Sequence, residues 1–353
     1  MENAPKGIAN LGNTCYLNAC IQILARIEPL SSILINRQHV ENPTKPENQL
    51  WKQWKDIQFL MQSGGNTNEL LFPSGFITAI QTVSKQKNAL FFQGGEQQDI
   101  SEFLLFFIES LHLCISRPLS VQISGHSDNE TDNLAISVYA TLKKAYETDY
   151  SEIIELFTGI HISCIDSLEV GGKQHSRTPE IYYILNLSIP AQHAIPAQHA
   201  IPAKNEVTLY DCLDEFCKEE ILDGENSWFN EKTKQKEGIR KYMTFWNFPP
   251  VLIICMKRTH PNGDKINDLI HYPLTLDLQK YVHGYHPKKF VYDLFGVCLH
   301  SGDAGNGHYT AFIKKADHWF FCNDNRVQRI YDEKYLLTEH AYCLFYMKKN
   351  SNV

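Results

Sequence analysis

Near residue 150 the chain changes from helical to strand-like patterning, and this change limits the folds that it can adopt. Apolar residues recur at helical spacing in four earlier segments, at residues 15–27, 49–61, 74–83 and 99–112. Later, short apolar runs typical of strands occur at residues 181–189, 251–256, 292–299, 308–313 and 341–346. A helical lobe followed by strands that do not alternate with helices predicts an α+β fold.

The size and composition of the chain are those of an ordinary globular protein. Its 353 residues are 43% hydrophobic and 21% charged, which excludes collagen, coiled coil and wholesale disorder. The formal net charge of −7 argues against a nucleic-acid-binding protein, because such domains normally carry a basic surplus. The most apolar run, residues 248–256, is far shorter than the roughly 18 residues of a membrane span. With no recognisable targeting segment and no dense Lys/Arg run, we expect a soluble intracellular protein, cytoplasmic, nuclear or both.

Ten cysteines are scattered along the chain without a CxxC pair. Disulfide scaffolds are short and cysteine-dense, so this pattern does not predict one. Most of the cysteines, including Cys255 and Cys343, lie among apolar residues, where small buried hydrophobic side chains are expected. Cys15 has different surroundings.

Cys15 follows a turn rich in Gly and Asn and opens a helix that Thr14 is predicted to cap and Pro29 to end. Unpaired backbone N–H groups and the positive end of the helix dipole should therefore face its sulfur. Such an environment lowers the pKa of a thiol and favours the reactive thiolate. The same N–H groups, together with the amide of Asn10, could hold an oxyanion. The alternative from this segment alone is a buried cysteine at a helix start.

His308 follows a glycine-rich loop and begins a strand near the C-terminus. A turn is expected at residues 314–317, and the next strand leads to Asn323 and Asp324, either of which can lie beside His308 in such a hairpin. A cysteine, a histidine and an Asn or Asp that orients the imidazole form a cysteine-protease triad. By spacing alone, His308 is equally compatible with an ordinary loop residue.

Three segments resemble the sequence boxes of the ubiquitin-specific proteases. Residues 7–22, GIANLGNTCYLNACIQ, resemble the cysteine box of that family, and residues 94–104, GGEQQDISEFL, resemble its Gln-Gln-Asp box. Residues 292–324, which include GHYTAF, resemble its histidine box. Weaker family segments lie between the boxes, at residues 156–159, 250–258 and 272–281. Because all of these segments occur in family order, the resemblance is specific and covers nearly the whole chain.

The resemblance implies a single catalytic domain over residues 5–348 with the papain-like α+β fold of that family. Residues 5–150 would form a helical thumb, and residues 151–348 would form a β palm and the β fingers that grip ubiquitin. The repeat IPAQHA within residues 189–203 is outside the family pattern and predicts an exposed, extended loop. The implied activity is that of a deubiquitinating cysteine protease, which cleaves the isopeptide or peptide bond after the C-terminal glycine of ubiquitin through a thioester.

The resemblance also assigns the catalytic residues. It makes Cys15 the nucleophile, His308 the general base and then acid, and Asn323 the orienting third member. Asn10 matches the oxyanion-hole amide of the family. Many family members have aspartate in place of Asn323, and Asp324, the next residue, could share the orientation of the imidazole. The division of this work between the two neighbours stays open.

Five residues are implied to contact the tail of ubiquitin, namely Asp99, Glu102, Gln98, Gly307 and Tyr309. Carboxylates at this place could pair with arginines of the tail. Asp99 and Glu102 also form a D-x-x-E helix start signal, and helix capping alone would explain them. The expected partners are ubiquitin and ubiquitinated proteins, without nucleic acid or membrane, for a monomeric enzyme that needs no cofactor.

The chain departs from the pattern of the family that it resembles at the tip of the fingers. Many ubiquitin-specific proteases carry two CxxC pairs there that bind a structural zinc. Here Cys164 is followed by Ser167, and residues 228–242 contain no cysteine, so no structural metal is expected. Two other functions stay open. A non-catalytic ubiquitin-binding module is opposed by the intact Cys15 and His308, and an enzyme for a ubiquitin-like modifier is not distinguished by the three boxes.

Overall fold

The computed structural model describes residues 4–36, 45–62, 69–89, 92, 97–169, 174–190, 206–260, 262–303 and 306–349. Within these ranges the helices are α1 Cys15–Leu24, α2 Glu28–Asn36, α3 Glu47–Gln62, α4 Ser74–Gln86, α5 Ile100–Ile115, α6 Glu130–Thr148, α7 Glu152–Phe157 and α8 Leu209–Phe216. The strands are β1 Gly159–Ser167, β2 Gln174–Tyr182, β3 Ile184–Ser188, β4 Val207–Thr208, β5 Glu220–Leu222, β6 Trp228–Asn230, β7 Gln235–Glu237, β8 Ile239–Asn247, β9 Val251–Lys257, β10 Ile270–His271, β11 Thr275–Asp277, β12 Val291–Gly302, β13 Gly307–Lys315, β14 His318–Asn323, β15 Arg326–Ile330 and β16 Ala341–Lys348. Seven of these helices precede the first strand and only α8 lies among the strands, so the predicted α+β class is confirmed.

The first predicted helix, residues 15–27, corresponds to α1, but a second helix that was not predicted, α2, follows directly. α1 ends at Leu24 and α2 begins at Glu28, so Pro29 lies in the first turn of α2 and does not end the first helix. Proline fits there because the first turn of a helix has no partner for its N–H groups. In the described part of the chain, no single helix is long and apolar enough to cross a membrane; α1 and α2 meet that criterion only together, and they are bent by 83°.

The helices of the N-terminal half pack around α5, which is apolar on most sides and contacts α1, α3 and α7. Trp54 of α3, Phe76 of α4 and Phe107 of α5 form an aromatic cluster with ring centroids 5.1 to 5.8 Å apart. Every residue of α1 is buried, because α1 lies between α5 and the strands β12 and β13. The start of α1 is thereby held against the sheet.

The central sheet has the strand order β15-β14-β13-β12-β16-β9-β3, and β11 pairs with β12 outside this path. Neighbouring strands are antiparallel except for β3 and β9, which are parallel. Alternate residues of β9 point into two cores: Ile253 packs with the helices of the N-terminal half, and Leu252 and Ile254 pack into a second core with α8. Burial on both faces explains why the central strands are continuous apolar runs.

A second sheet, with the order β2-β1-β8-β5, and the hairpin β6–β7 form the region predicted as fingers. The run at residues 181–189 is β structure as predicted, but it belongs to two strands. β2 ends at Tyr182, which pairs with Gly159, whereas β3 begins at Ile184, which pairs with Ile253 in the central sheet. The apolar run continues through the point at which the chain passes between the sheets, so periodicity does not reveal the break. The repeat at residues 189–203 lies, from residue 191 onward, outside the described residues.

Cys255 of β9 and Cys343 of β16 form a disulfide in the central sheet. The prediction of two separate small hydrophobic side chains is therefore wrong. The two residues are directly opposite each other on neighbouring strands, with Cα atoms 4.3 Å apart. The two cysteines are close only because β9 and β16 are neighbours in the sheet, and the sequences of the two strands do not show this. The other described cysteines have free thiols.

Candidate active site

A tight turn places Cys15 at the first position of α1. The side-chain oxygen of Asn10 accepts hydrogen bonds from the backbone N–H groups of Gly12, at 3.1 Å, and Thr14, at 3.2 Å. Gly12 and Asn13 have φ values of 101° and 50°, which Gly and Asn adopt more readily than other residues. Thr14 occupies the N-cap position as predicted, but its hydroxyl donates back to Asn10 and makes no capping bond.

The thiol of Cys15 is buried, with 4% of the residue exposed. Burial raises the pKa of this thiol, and the negative charge of Asp324 adds to the rise. Hydrogen bonds from the backbone of Tyr309, Tyr16 and Cys15 itself act in the opposite direction. The prediction of a lowered pKa is therefore wrong for the free protein, because the loss of hydration outweighs the effect of the helix start. A base has to remove the proton before the sulfur can attack.

His308 and Asn323 meet across the hairpin β13–β14. The turn of this hairpin includes Ala316, at φ 51°, inside the predicted range. Nε2 of the His308 imidazole lies 2.8 Å from Oδ1 of Asn323. Because an amide oxygen only accepts hydrogen bonds, Nε2 carries the proton and Nδ1 is left as the basic nitrogen. β13 packs against α1, which begins at Cys15, and the backbone of Tyr309, the residue after His308, is close enough to lower the pKa of the thiol; the His308–Asn323 pair therefore lies on the strand beside the nucleophile.

Asp324 is bonded to the other wall of the cleft. Its Oδ2 accepts from Nδ2 of Asn10 at 2.9 Å, and its Oδ1 accepts from Nδ2 of Asn18 at 2.7 Å. The two neighbours left open by the sequence therefore have different contacts: Asn323 holds His308, and Asp324 holds the segment around the thiol. Sequence reasoning missed Asn18, which lies in the cysteine box but whose partner is 306 positions away.

The segment that precedes the turn is held from two sides. Ile8 N–H donates to the backbone oxygen of Asp324 at 2.9 Å, and Leu71 N–H donates to that of Gly7 at 2.9 Å. A Cβ on Gly7 would lie 2.4 Å from the backbone oxygen of Asn325, so any side chain there would push the two segments apart. These contacts fix the turn, and with it the start of α1, relative to the end of β14.

Asp99 caps α5. One carboxylate oxygen accepts from the N–H groups of Ser101, at 2.7 Å, and Glu102, at 3.2 Å. The other accepts from the hydroxyl of Tyr342 on β16 at 2.7 Å, so Asp99 also ties α5 to the sheet. The side chain of Glu102 is exposed. Residues 94–96 of the Gln-Gln-Asp box lie outside the described residues.

The other predicted tail contacts are distributed around the same cleft. Gly307 N–H donates to Oε1 of Gln97 at 2.5 Å, which connects the start of β13 to the segment before α5. Gln98, the predicted tail contact, follows Gln97 in the chain and is half-buried. The ring of Tyr309 is buried and lies 4.6 Å from the imidazole of His300, between ring centroids. Gln97 therefore also belongs to the cleft. The Gln-Gln-Asp box contains two adjacent glutamines, and the sequence does not show which of them contacts Gly307.

Across the described ranges, no three His, Cys, Asp or Glu side chains are grouped in a way that could hold a metal ion. Cys164 is buried in a small core with Ile160, Ile162 and Trp246. The absence of a structural zinc stays a prediction.

A cysteine at a helix start, a histidine on a β-hairpin and an amide that holds its imidazole form the arrangement of a papain-like cysteine protease. The chain matches the family model described as "Ubiquitin carboxyl-terminal hydrolase" over residues 6–346, and it belongs to this family.

Its relatives include ubiquitin carboxyl-terminal hydrolase 4 of Saccharomyces cerevisiae, 27% identical over 96% of this chain and 39% of the relative. Ubiquitin carboxyl-terminal hydrolase 21 of Mus musculus is 30% identical over 96% of this chain and 61% of the relative. The chain thus spans less than two thirds of the length of these relatives.

Two solved structures show the same fold. The SAGA DUB module of Ubp8, Sgf11, Sus1 and Sgf73 bound to monoubiquitin has a TM-score of 0.72 and 22% identity, over 100% of this chain and 72% of that one. The module bound to ubiquitin aldehyde has a TM-score of 0.71 and 24% identity, over 98% of this chain and 70% of that one.

Proposed function

We propose that this chain is a deubiquitinating cysteine protease, which hydrolyses the isopeptide or peptide bond after the C-terminal glycine of ubiquitin. One observation carries the proposal: α1, which begins at Cys15, packs against β13, which begins with Gly307 and His308, and Asn323 holds the His308 imidazole at 2.8 Å. Membership of the ubiquitin carboxyl-terminal hydrolase family, together with the ubiquitin-bound structures of the same fold, supports ubiquitin as the substrate.

The geometry suits a two-step reaction. Nδ1 of His308 takes the proton of Cys15, and the thiolate attacks the carbonyl carbon of the terminal glycine of ubiquitin. The bond to the leaving amine breaks as His308 returns the proton to the amine nitrogen, which leaves a thioester. Water then attacks the thioester while His308 takes its proton, and this step releases the ubiquitin carboxylate and the thiol. Asn323 keeps the imidazole in one orientation through both steps.

The negative charge that forms on the carbonyl oxygen would be held by the N–H groups at the start of α1 and by Nδ2 of Asn10. This nitrogen has two hydrogens, and one of them is bonded to Asp324 at 2.9 Å. The carboxylate of Asp324 therefore fixes the amide before the substrate arrives. Donors that need no reorganisation are the most effective ones for a transition state.

The tail of ubiquitin would reach Cys15 between the start of α5 and the loop that precedes His308. Glu102 is exposed there and Asp99 is half-buried, so arginines of the tail can approach both carboxylates. The hydrogen bond between Gln97 and Gly307 joins the two walls of this passage.

The proposal is tested with ubiquitin that carries a thiol-reactive group at its C-terminus. We expect a covalent adduct with the wild-type protein and none with Cys15→Ala, as measured by mass spectrometry. Cys217→Ala is the matched control, because Cys217 is a half-buried free thiol at the end of α8 and should leave adduct formation unchanged.

The two negative outcomes of this experiment contradict different parts of the proposal. Ubiquitin binding without an adduct would contradict the proposed chemistry and leave a non-catalytic ubiquitin-binding module. Neither an adduct nor binding would contradict ubiquitin as the ligand. The same reactive group on ubiquitin-like proteins would then show whether another modifier is recognised.

A further inference from the structure

Lys265 fastens the segment between β9 and β10 to the end of β12. Its ammonium group donates to the backbone oxygens of His300, at 3.0 Å, and Gly302, at 2.7 Å. It also lies 3.0 Å from Nδ1 of the His300 imidazole. The base of the same segment is held by the buried Arg258, which donates to the backbone oxygen of Ala341 on β16 at 2.7 Å. The segment is thus bound to two central strands.

His300 connects this anchor to the strand that carries the catalytic base. In the ladder between β12 and β13, His300 pairs with Tyr309 and Gly302 pairs with Gly307. A Cβ on Gly307 would lie 2.2 Å from Nε2 of His300, so the edge of the imidazole packs directly on the residue before His308. A displacement of His300 would therefore move Gly307, and His308 with it.

We propose that Lys265 is a positioning residue: its ammonium group holds His300 in place and uncharged, so that the β12–β13 hairpin presents His308 in a single geometry. This inference rests on the proposed function, because it concerns the same reaction. Lys265 acts through His300 and the end of β12 and has no place of its own in the proton transfers.

The uncharged form of His300 follows from these contacts. Since Nδ1 accepts from an ammonium group, the ring proton is on Nε2, which faces Gly307. Burial and the charge of Lys265 lower the pKa of His300 to about 4, so the ring is uncharged at neutral and mildly acidic pH. The charged and titratable groups that face His300 or Lys265 are Asp99, Arg258, Asp303, His308, Tyr309, His340 and Tyr342.

The substitution Lys265→Met removes the charge and the three contacts while it keeps the apolar stem of the side chain. We expect kcat for a fluorogenic amide of the ubiquitin C-terminus to fall about tenfold to a hundredfold, the cost of a misplaced catalytic group. KM should change less than kcat. Without the cation, the pKa of His300 should rise from about 4, although burial, the larger cause of the low pKa, remains. The charged ring then forms at a higher pH than in the wild-type protein, so kcat should show an additional decrease toward the acidic end of the assay.

Two further variants separate positioning from folding. Lys280→Met is the matched control, because Lys280 is an exposed lysine paired with Asp214, and it should keep the wild-type kcat and pH profile. In the double variant Lys265→Met/His300→Asn the ionisable ring is absent. The additional pH dependence of Lys265→Met should therefore disappear in the double variant.

An NMR titration of the histidine side chains measures the pKa of His300 without turnover, and the single variant His300→Asn assigns its signal. If the wild-type protein forms no adduct with reactive ubiquitin, the proposed function fails, and the titration still decides whether Lys265 keeps His300 uncharged. A wild-type kcat and pH profile in Lys265→Met would overturn the proposal. So would a loss of kcat with an unchanged titration of His300, because Lys265 would then serve stability alone.

Discussion

The cleft and the tip of the fingers are each held by one half-buried carboxylate, but the two carboxylates bring together very different parts of the chain. Asp324 bonds to Asn10 and Asn18, which are 314 and 306 positions away. Glu237 bonds to Asn230 at 2.9 Å and Thr233 at 2.5 Å, which are seven and four positions away. It also lies 3.2 Å from Nε2 of His175 on β2. The cleft is thus assembled across the whole chain, and most of the fingertip contacts are formed within one hairpin.

This difference indicates where a local change has distant consequences. Asp324 connects the turn before Cys15 to the end of the strand that carries Asn323, so both sides of the reaction depend on it. Glu237 fixes the hairpin β6–β7, which is paired only with itself among the described strands. We therefore expect substitutions at the cleft to change catalysis strongly and substitutions at the fingertip to change local stability slightly.

The largest effect is expected for Asp324→Ala. The variant loses both amide contacts, so Asn10 is no longer fixed, and kcat/KM should fall about 10²- to 10³-fold, the cost of one oxyanion-hole donor. The free energy of unfolding should decrease by about 1 kcal/mol for the lost hydrogen bonds. Steady-state kinetics and chemical denaturation measure the two quantities. Asp324→Asn keeps one acceptor oxygen, so its kcat/KM should lie between those of the wild-type protein and Asp324→Ala. Nearly wild-type kcat/KM in Asp324→Ala would contradict the assigned role.

Asn323→Ala should have a smaller effect than Asp324→Ala. His308 keeps its place on β13 but loses the partner of Nε2, so kcat should fall about tenfold to a hundredfold through misorientation of the ring. Asn323→Asp restores an acceptor oxygen and should recover most of the activity. If Asn323→Ala were the more damaging of the two alanine variants, the orientation of His308 would outweigh the anchoring of Asn10, and the ranking of the two contacts would be reversed.

Four of the eight α-helices in the described residues, α1, α3, α4 and α5, were predictable because their apolar residues recur at helical spacing over several turns. The same argument missed α2, because Pro29 is acceptable both after a helix and in the first turn of a new one. It also missed the passage from β2 to β3, because Tyr182 and Ile184 are buried or half-buried in different sheets but belong to one apolar run. A local sequence pattern does not show which sheet a strand will join.

The candidate site was predictable to the extent that its residues lie in recognisable boxes, as Cys15, His308 and Asn323 do. The contacts of Asp324 and Lys265 were not, because each joins segments that are distant in sequence. The pKa of Cys15 was predicted in the wrong direction for a related reason. The helix start can be read locally, whereas the burial that dominates the shift arises from packing against β13 and α5.

A third experiment asks whether Asp99 is more than a helix cap. Asp99→Ala removes the acceptor of two N–H groups at the start of α5 and should lower the free energy of unfolding by about 1 kcal/mol. Asp99→Asn keeps a capping oxygen and removes the charge. If the carboxylate pairs with arginines of ubiquitin, KM should rise in both variants, whereas the thermal midpoint should fall only in Asp99→Ala. An unchanged KM in Asp99→Asn would leave capping and the contact with Tyr342 as its whole role.

The smallest effect is expected at the fingertip, for Glu237→Ala. Its partners Asn230 and Thr233 are close in sequence, and its pairing with His175 is partly solvated, so the free energy of unfolding should decrease by less than about 1 kcal/mol. kcat should equal that of the wild-type protein, because the partners of Glu237 named above, Asn230, Thr233 and His175, lie at the fingertip. Glu231→Ala, at an exposed position of the same hairpin, is the matched control for stability and kinetics. A fall in kcat as large as that of Asn323→Ala would show that the fingertip and the cleft are coupled, and the distinction between a locally held and a globally held region would then be wrong.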